Sequence, residues 1–426
     1  MITNVATALF GLADMWAIGR LGEAPAQGAV ELGAKYMMGL LNVFNFLRTG
    51  TVAFTAQAAG RGHAQEQAAA LVRGLAAAAV IGAVLLIARP FALPLGLGLL
   101  GAEGALRHEA SHYIAIRYWS GPVWLVNCVL VGWLIGRRRV RAVLAVEVAA
   151  NAVHIALDLA LVLGAGWGVA GVAVATLASE IFKSALLWAF VLRQAEARGA
   201  LSAVGHHSTW AADALRSLVV VNRDLFLRTV LLTVAMLLFA RAGAQQGAVA
   251  LAANGILFQL FMLATLILDG FESAAQVLCG EAAGARNRTR FLAALRASLA
   301  AAGLTALALA LIAFAARTHL AAAFSTDPAV VDAAARHSLW LAVLPLAGFA
   351  SFVLDGVFVG AGWTRTMLGT MLVAMAAYLA LLVGAPATNH TLWLAFTVFF
   401  VARGAGQALM LPRLLRSDLS SGQARA

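Results

Sequence analysis

The chain has 426 residues, 62% of them hydrophobic and 12% charged, with mean hydropathy +0.88 and formal net charge +11. Soluble domains carry about twice that charged fraction, so a water-soluble fold is excluded and the bilayer is the expected solvent. The positive charge is nearly all arginine in short loops between apolar runs, without zinc-finger spacing or a basic patch interleaved with aromatics, which speaks against a nucleic-acid partner.

A membrane-crossing helix needs about 20 mainly apolar residues. Windows of that kind run near 1–19, 29–58, 68–97, 111–136, 141–164, 168–192, 215–240, 246–276, 291–315, 334–361, 366–385 and 390–412. The expected fold class is therefore an all-α integral membrane protein with about twelve transmembrane helices. The first window reads as a true span and not as a cleavable signal peptide. Cys128 and Cys279 lie in or beside apolar segments and are expected to be packed thiols.

Arginines cluster in alternate loops, at Arg61, Arg137 to Arg139 with Arg141, Arg193 and Arg198, Arg286, Arg288 and Arg290, Arg365, Arg413 and Arg416. By the positive-inside tendency those loops and both termini are cytoplasmic. The polar stretch 194–213 is long enough to link two halves. The expected organisation is a six-helix lobe over 1–193, a linker over 194–213, a second lobe over 214–412 and a tail over 413–426.

The halves share a register. Gly132, Gly136 and Arg141 recur as Gly356, Gly360 and Arg365, at an offset of 224 residues. At the same offset Thr55-Ala-Gln57-Ala-Ala-Gly60 falls on Cys279-Gly-Glu281-Ala-Ala-Gly284. Six spans per half keep the same orientation, which implies parallel repeats about an axis along the membrane normal and a cavity between the lobes.

Polar residues inside such spans each need a reason, since a charge at the bilayer centre costs at least about 2.5–3.5 kcal/mol on insertion scales. Asp14 and Asp158 each precede an outer-loop glycine by eight residues, and Thr176 follows one by eight. At about 1.5 Å per residue all three sit roughly 12 Å below the outer boundary. His154 lies one turn deeper than Asp158 on the same helix face. Asp14, His154, Asp158 and Thr176 are thus an expected ion-coupling cluster. Two carboxylates in a low-dielectric pocket repel and lose hydration, which favours taking up a proton, and the same oxygens with a hydroxyl could ligate sodium. A structural network, with Asp158 accepting from His154, fits the same residues.

Asp269, Glu272 and Asp355 are candidates for the second lobe or the cavity, with Arg48, Met15 and Met37 as further cavity candidates. Core packing accounts equally for the methionines. Glu180 with Lys183, and Asp224 with Arg228, are spaced for local helix pairs. Glu147 fits a gate or a water-facing position, Arg117 a partner for carboxylates, and His206-His207 a solvated loop.

The segments Leu9-Phe-Gly-Leu-Ala-Asp14-Met-Trp-Ala-Ile-Gly-Arg-Leu-Gly22, Phe46-Leu-Arg48-Thr-Gly50 followed by Thr55-Ala-Gln57-Ala-Ala-Gly60, Asn151-Ala-Val-His154-Ile-Ala-Leu-Asp158, Gly168-Val-Ala-Gly-Val-Ala-Val-Ala-Thr176, Asn222-Arg-Asp224, Leu268-Asp-Gly-Phe271 and Leu354-Asp-Gly-Val-Phe358-Val-Gly360 follow one another along nearly the whole chain. Together they resemble the DNA-damage-inducible (DinF-like) branch of the multidrug and toxic compound extrusion (MATE) exporters. The resemblance implies twelve helices in two lobes and export of organic, often cationic, compounds driven by proton or sodium entry. It also implies cation-site roles for Asp14, Asp158 and Thr176. Two departures stand out. His154 replaces the family's usual Asn, which tips the expected ion toward the proton because imidazole titrates near neutrality. The family's first-helix proline falls before Met1.

The expected protein is then a proton-driven, less readily sodium-driven, antiporter in a bacterial inner membrane, monomeric, with small organic substrates and no cofactor, resident metal or nucleic acid. Three alternatives stay open: a lipid-linked oligosaccharide flippase, a truncated non-transporting homologue, and an intramembrane enzyme. The last lacks Gly-x-Ser-x-Gly and His-Glu-x-x-His motifs.

Overall fold

The computed structural model describes residues 14–20 and 23–419, and among these there are helices and turns but no strands. Helix α1 is described over 14–19. It is followed by α2 (Ala24–Asn42), α3 (Phe46–Gly60), α4 (Ala64–Leu99), α5 (Gly104–Arg117), α6 (Ser120–Gly136), α7 (Val140–Asp158) and α8 (Gly168–Leu192). A short helix α9 (Ala200–Gly205) lies between α8 and α10 (Ala212–Ala244). The remainder is α11 (Ala248–Gly284), α12 (Arg288–Phe324), α13 (Pro328–His337), α14 (Leu339–Ala361), α15 (Thr364–Gly384) and α16 (Asn389–Leu419).

Among the described residues nine helices are long and apolar enough to cross a membrane, and the α5–α6 pair, bent by 45°, makes a tenth. The first expected span lies largely outside the described residues. The second is α2 and α3 joined through a 3-10 turn, Val43–Asn45. Hydropathy joined 111–136 and 334–361 into single spans, yet each is two helices. In the first case Pro122 lacks the N–H that would bond the Tyr118 carbonyl, and that carbonyl accepts from Gly121 instead, at 3.1 Å. In the second, the break falls at Ser338, whose hydroxyl donates to the Ala335 carbonyl.

The chain divides into two compact units, Ile2–Ala59 with His63–Val219, and Val220–Ala426 with Gly60–Gly62. In the first, α2 packs on α5, α4 on α6, and α8 on both α6 and α7 around one apolar core. In the second, α14 packs on α11, α12 and α16, and α15 on α16 around another.

Each unit repeats the other's register. The helices starting at Ala64, Gly104 and Val140 have counterparts starting at Arg288, Pro328 and Thr364, all 224 residues on. The left-handed backbone positions repeat as well: Gly62 (φ 74°) matches Arg286 (φ 50°), and Arg138 (φ 61°) matches Gly362 (φ 82°). Close helix contacts obey the same rule. A Cβ on Gly132 would lie 2.6 Å from the Arg48 carbonyl oxygen, and one on Gly356 would lie 2.1 Å from that of Glu272, the residue 224 positions after Arg48. Small residues at these crossings let backbones approach.

Apolar side chains also cover the outside. Ile87, Phe91, Val383 and Leu409 are each at least 75% exposed, as expected for surfaces that face acyl chains. The stretch after α8 folds back on α4, where Arg73 donates to the Thr209 carbonyl at 3.2 Å. Arg137 pairs with Glu196 at 2.5 Å and holds that carboxyl below the usual carboxylate range, chiefly through the hydrogen bond. His206 and His207 are exposed, as expected for the loop.

Candidate functional site

Of the four side chains expected to cluster in the first unit, Asp14, His154 and Asp158 meet there. Helix α7 carries a polar stripe at Glu147, Asn151, His154 and Asp158, spaced four, three and four, so all four share one face, and all are buried. α1 contributes Asp14 and α8 contributes Ser179, both buried as well. His154 Nε2 lies 2.7 Å from Asp14 Oδ1 and 3.1 Å from Asp158 Oδ2. Ligand-type atoms of the three residues all fall within 4.8 Å of one another. A ring nitrogen has one in-plane bonding axis, and at Nε2 the hydrogen bond goes to Asp14. Asp158 therefore makes a charge contact, and neither of its oxygens has a hydrogen-bond partner among the described residues.

Ser179 Oγ donates to the Thr176 carbonyl at 2.9 Å and lies 3.2 Å from His154 Nδ1. With the hydroxyl turned to Thr176, Nδ1 is the donor and a neutral ring presents its Nε2 lone pair to two carboxylates; with the hydroxyl turned to Nδ1, Nε2–H donates to Asp14. Either way two buried carboxylates meet at one ring nitrogen, an arrangement that a positive charge, a proton or a cation, stabilises. A cavity of about 310 Å³, lined by Trp16, Ala17, Ile155, Asp158 and Leu159, reaches the edge of this cluster.

Thr176 is buried, and its hydroxyl donates to the Val172 carbonyl at 3.0 Å. It supports Ser179 through its own carbonyl and is not brought to the carboxylates by a hydrogen bond. Ser179 is the residue sequence reading missed. The depth argument could have found it: His154 lies a turn deeper than Asp158, and on the antiparallel α8 the matching level lies one turn beyond Thr176.

Two expected local pairs form differently. Lys183 pairs with Glu147 of α7 at 2.7 Å, not with Glu180, whose carboxylate accepts from Asn127 at 2.8 Å. Asp224 accepts from Arg223 at 2.7 Å and from Thr364 at 3.0 Å, not from Arg228. Helix spacing permits such pairs but does not compel them, and partners on neighbouring helices compete.

Arg228 belongs to the second unit's buried network. It donates to Asp355 at 2.5 Å and lies 3.4 Å from Glu272. Gln407 donates to Asp355 at 2.5 Å, and Arg403 lies 3.5 Å from it beneath the rings of Phe352, Phe399 and Phe400. Two candidates of the second half, Glu272 and Asp355, thus share one network, while Asp269 is half-buried one turn from Glu272. Arg403 and Gln407 were not singled out from the sequence, because they sit in the last span near other arginines that read as topology signals. Met37 is fully buried in the first unit's core, and Met15 packs against that core, both as packing residues. Arg48 is half-buried on α3, where its carbonyl meets Gly132.

Comparison with known proteins agrees with this architecture. The chain matches the MatE family over residues 1–160 and 225–384. It is 32% identical to DNA damage-inducible protein F of Escherichia coli (strain K12) over 98% of this chain and 91% of that protein. It is 26% identical to the probable multidrug resistance protein NorM of Caulobacter vibrioides over 67% of this chain and 61% of that protein. A crystal structure of a MATE protein in its bent conformation superposes with a TM-score of 0.87 at 20% identity, covering 100% of this chain and 94% of that one. The chain belongs to the MatE family and is a multi-pass membrane transporter, not an enzyme.

Proposed function

We propose that the protein is a secondary-active antiporter that exports organic, cationic or amphipathic compounds across a bacterial inner membrane, driven by proton entry through the Asp14–His154–Asp158 cluster. The observation that carries this is the convergence of two buried carboxylates, Asp14 and Asp158, on one nitrogen of the buried His154, a group that a bound positive charge stabilises. Burial makes that charge costly to lose into a dry site and easy to exchange only when the site opens to water. One state of the transporter then holds the proton and another releases it. A coupling ion drives the change only by its difference in affinity between the two states.

Sodium is the second candidate for the coupling ion. A hard monovalent cation prefers a shell of oxygens, and here a ring nitrogen occupies the centre of the cluster, which favours the proton. The arginine-rich loops support cytoplasmic termini. The flippase reading needs free cationic groups for a pyrophosphate, whereas Arg228 and Arg403 are engaged with Asp355. Purified protein in liposomes, with proton and sodium gradients imposed separately, tests the reading through efflux of a fluorescent organic cation. The proton gradient alone is expected to drive efflux. Efflux driven only by sodium refutes the assignment of the ion, and no efflux under either gradient refutes antiport.

A further inference from the structure

We propose that Asp14, His154 and Asp158 form a binding site for a divalent transition-metal ion of the zinc class. Imidazole nitrogen and carboxylate oxygen are both zinc donors, and open zinc sites have three protein ligands with a fourth position left to water or solute, which one histidine and two aspartates supply in number. Softer nitrogen ligation separates such ions from sodium, magnesium and calcium, which favour oxygen alone.

Four features of the site fit this ion. The ligand-type atoms of the three residues converge within 4.8 Å from two helices, α1 and α7. A tetrahedral centre with bonds of about 2.1 Å places its ligand atoms about 3.4 Å apart. The Nε2–Oδ2 distance of 3.1 Å is close to that, and the Nε2–Oδ1 distance of 2.7 Å needs only a small opening. The outer support is in place: metal-bound histidines donate their second ring N–H to a fixed acceptor, and His154 Nδ1 has Ser179 Oγ, itself anchored on the Thr176 carbonyl. Asp158 is 1% exposed and both its oxygens lack hydrogen-bond partners among the described residues, so a strong acceptor pair faces the cluster. The cavity beside Asp158, about 310 Å³, offers an entry and room for a fourth ligand.

Charge agrees with geometry. Two carboxylates and a neutral ring carry two negative charges, which one divalent ion neutralises. The ion and the coupling proton would occupy the same lone pairs. Blockade of efflux by zinc is therefore a consequence that rests on the reading of this cluster as the coupling site, whereas metal binding itself does not.

The test is direct binding to the full-length, tag-free protein in detergent after chelator treatment. Zinc is titrated by calorimetry, and cobalt(II) is used for the visible absorption of a four-coordinate site. One ion per chain is expected. His154→Asn and Asp158→Asn are each expected to weaken zinc at least tenfold while the protein stays monodisperse with unchanged helix content. Replacing His206 and His207, or Cys128 and Cys279, is expected to leave binding unchanged. Absence of saturable binding in the wild type overturns the proposal, as does wild-type affinity in the folded His154→Asn protein. Because the readout is binding and not efflux, these outcomes stand apart from failure of the antiport reading.

Discussion

Replacing Gly356 by alanine forces apart α14 and α11, which cross closely in the second unit. The added Cβ would sit 2.1 Å from the Glu272 carbonyl oxygen and 2.8 Å from its carbon. Ordinary van der Waals contact begins at 3.4 Å, so the pair falls short by about 1.3 Å, and the atoms on the α11 side are backbone that cannot rotate away. Over-packing of this kind costs about 1–3 kcal/mol, and rigid backbone on both sides places Gly356→Ala at the upper end. Gly360→Ala, at 2.2 Å from the Gln276 carbonyl oxygen, should cost about as much, and Gly132→Ala, at 2.6 Å from that of Arg48, should cost less. Gly369 in α15 has nothing within 4 Å of its Cβ position. There alanine should stabilise by about 0.5–1 kcal/mol through helix propensity alone. Melting of the detergent-solubilised variants, followed by size-exclusion recovery after heating, reads the series. A Tm order with Gly369→Ala above wild type and Gly356→Ala lowest supports the reasoning. Equal melting of Gly356→Ala and wild type refutes it.

Asp355→Ala should destabilise by about 3–5 kcal/mol, because Arg228 and Arg403 are left buried without their shared carboxylate. Adding Arg228→Met to it should recover part of the loss, and a melt showing no recovery argues against direct pairing. Asn254→Ala should cost about 1–3 kcal/mol, since Asn389 and the Trp393 indole both lose their partner, and thermal recovery measures it. The Arg137–Glu196 contact should be pH-sensitive. Glu196 has a depressed pKa when folded, so its stabilisation is complete above the ordinary carboxylate range and is lost as pH falls through the depressed value. A spin label at Ser202 should gain mobility at low pH in the wild type and be mobile at all pH in Glu196→Gln. An identical pH profile in both would contradict this.

Much of this was readable before the structure because membrane insertion simplifies the sequence code. Buried acids are rare in spans, so Asp14 and Asp158 stood out, and counting from outer glycines placed them at one level. Gly166 (φ 69°) and Gly168 (φ 53°) do form the sharp turn that anchored the count. The duplication was also legible, since the 224-residue register that linked a few glycines extends to helix starts and backbone caps. The partners of Arg228 were not legible. Asp355 lies 127 positions away, and chain distance does not say which helices pack. Helix breaks at Tyr118 and Ser338 were hidden because apolar composition continues across them, while Ser179 was legible only by carrying the depth count one turn past Thr176 to the level of His154.

The cluster's role is tested most directly by proton movement itself. Proteoliposomes with a pH-sensitive dye inside are given substrate, and lumenal pH is recorded for the wild type, Asp14→Asn and Asp158→Asn. The account predicts substrate-dependent proton flux in the wild type and none in either variant, with both variants folded by circular dichroism. Wild-type proton flux in Asp158→Asn would contradict it.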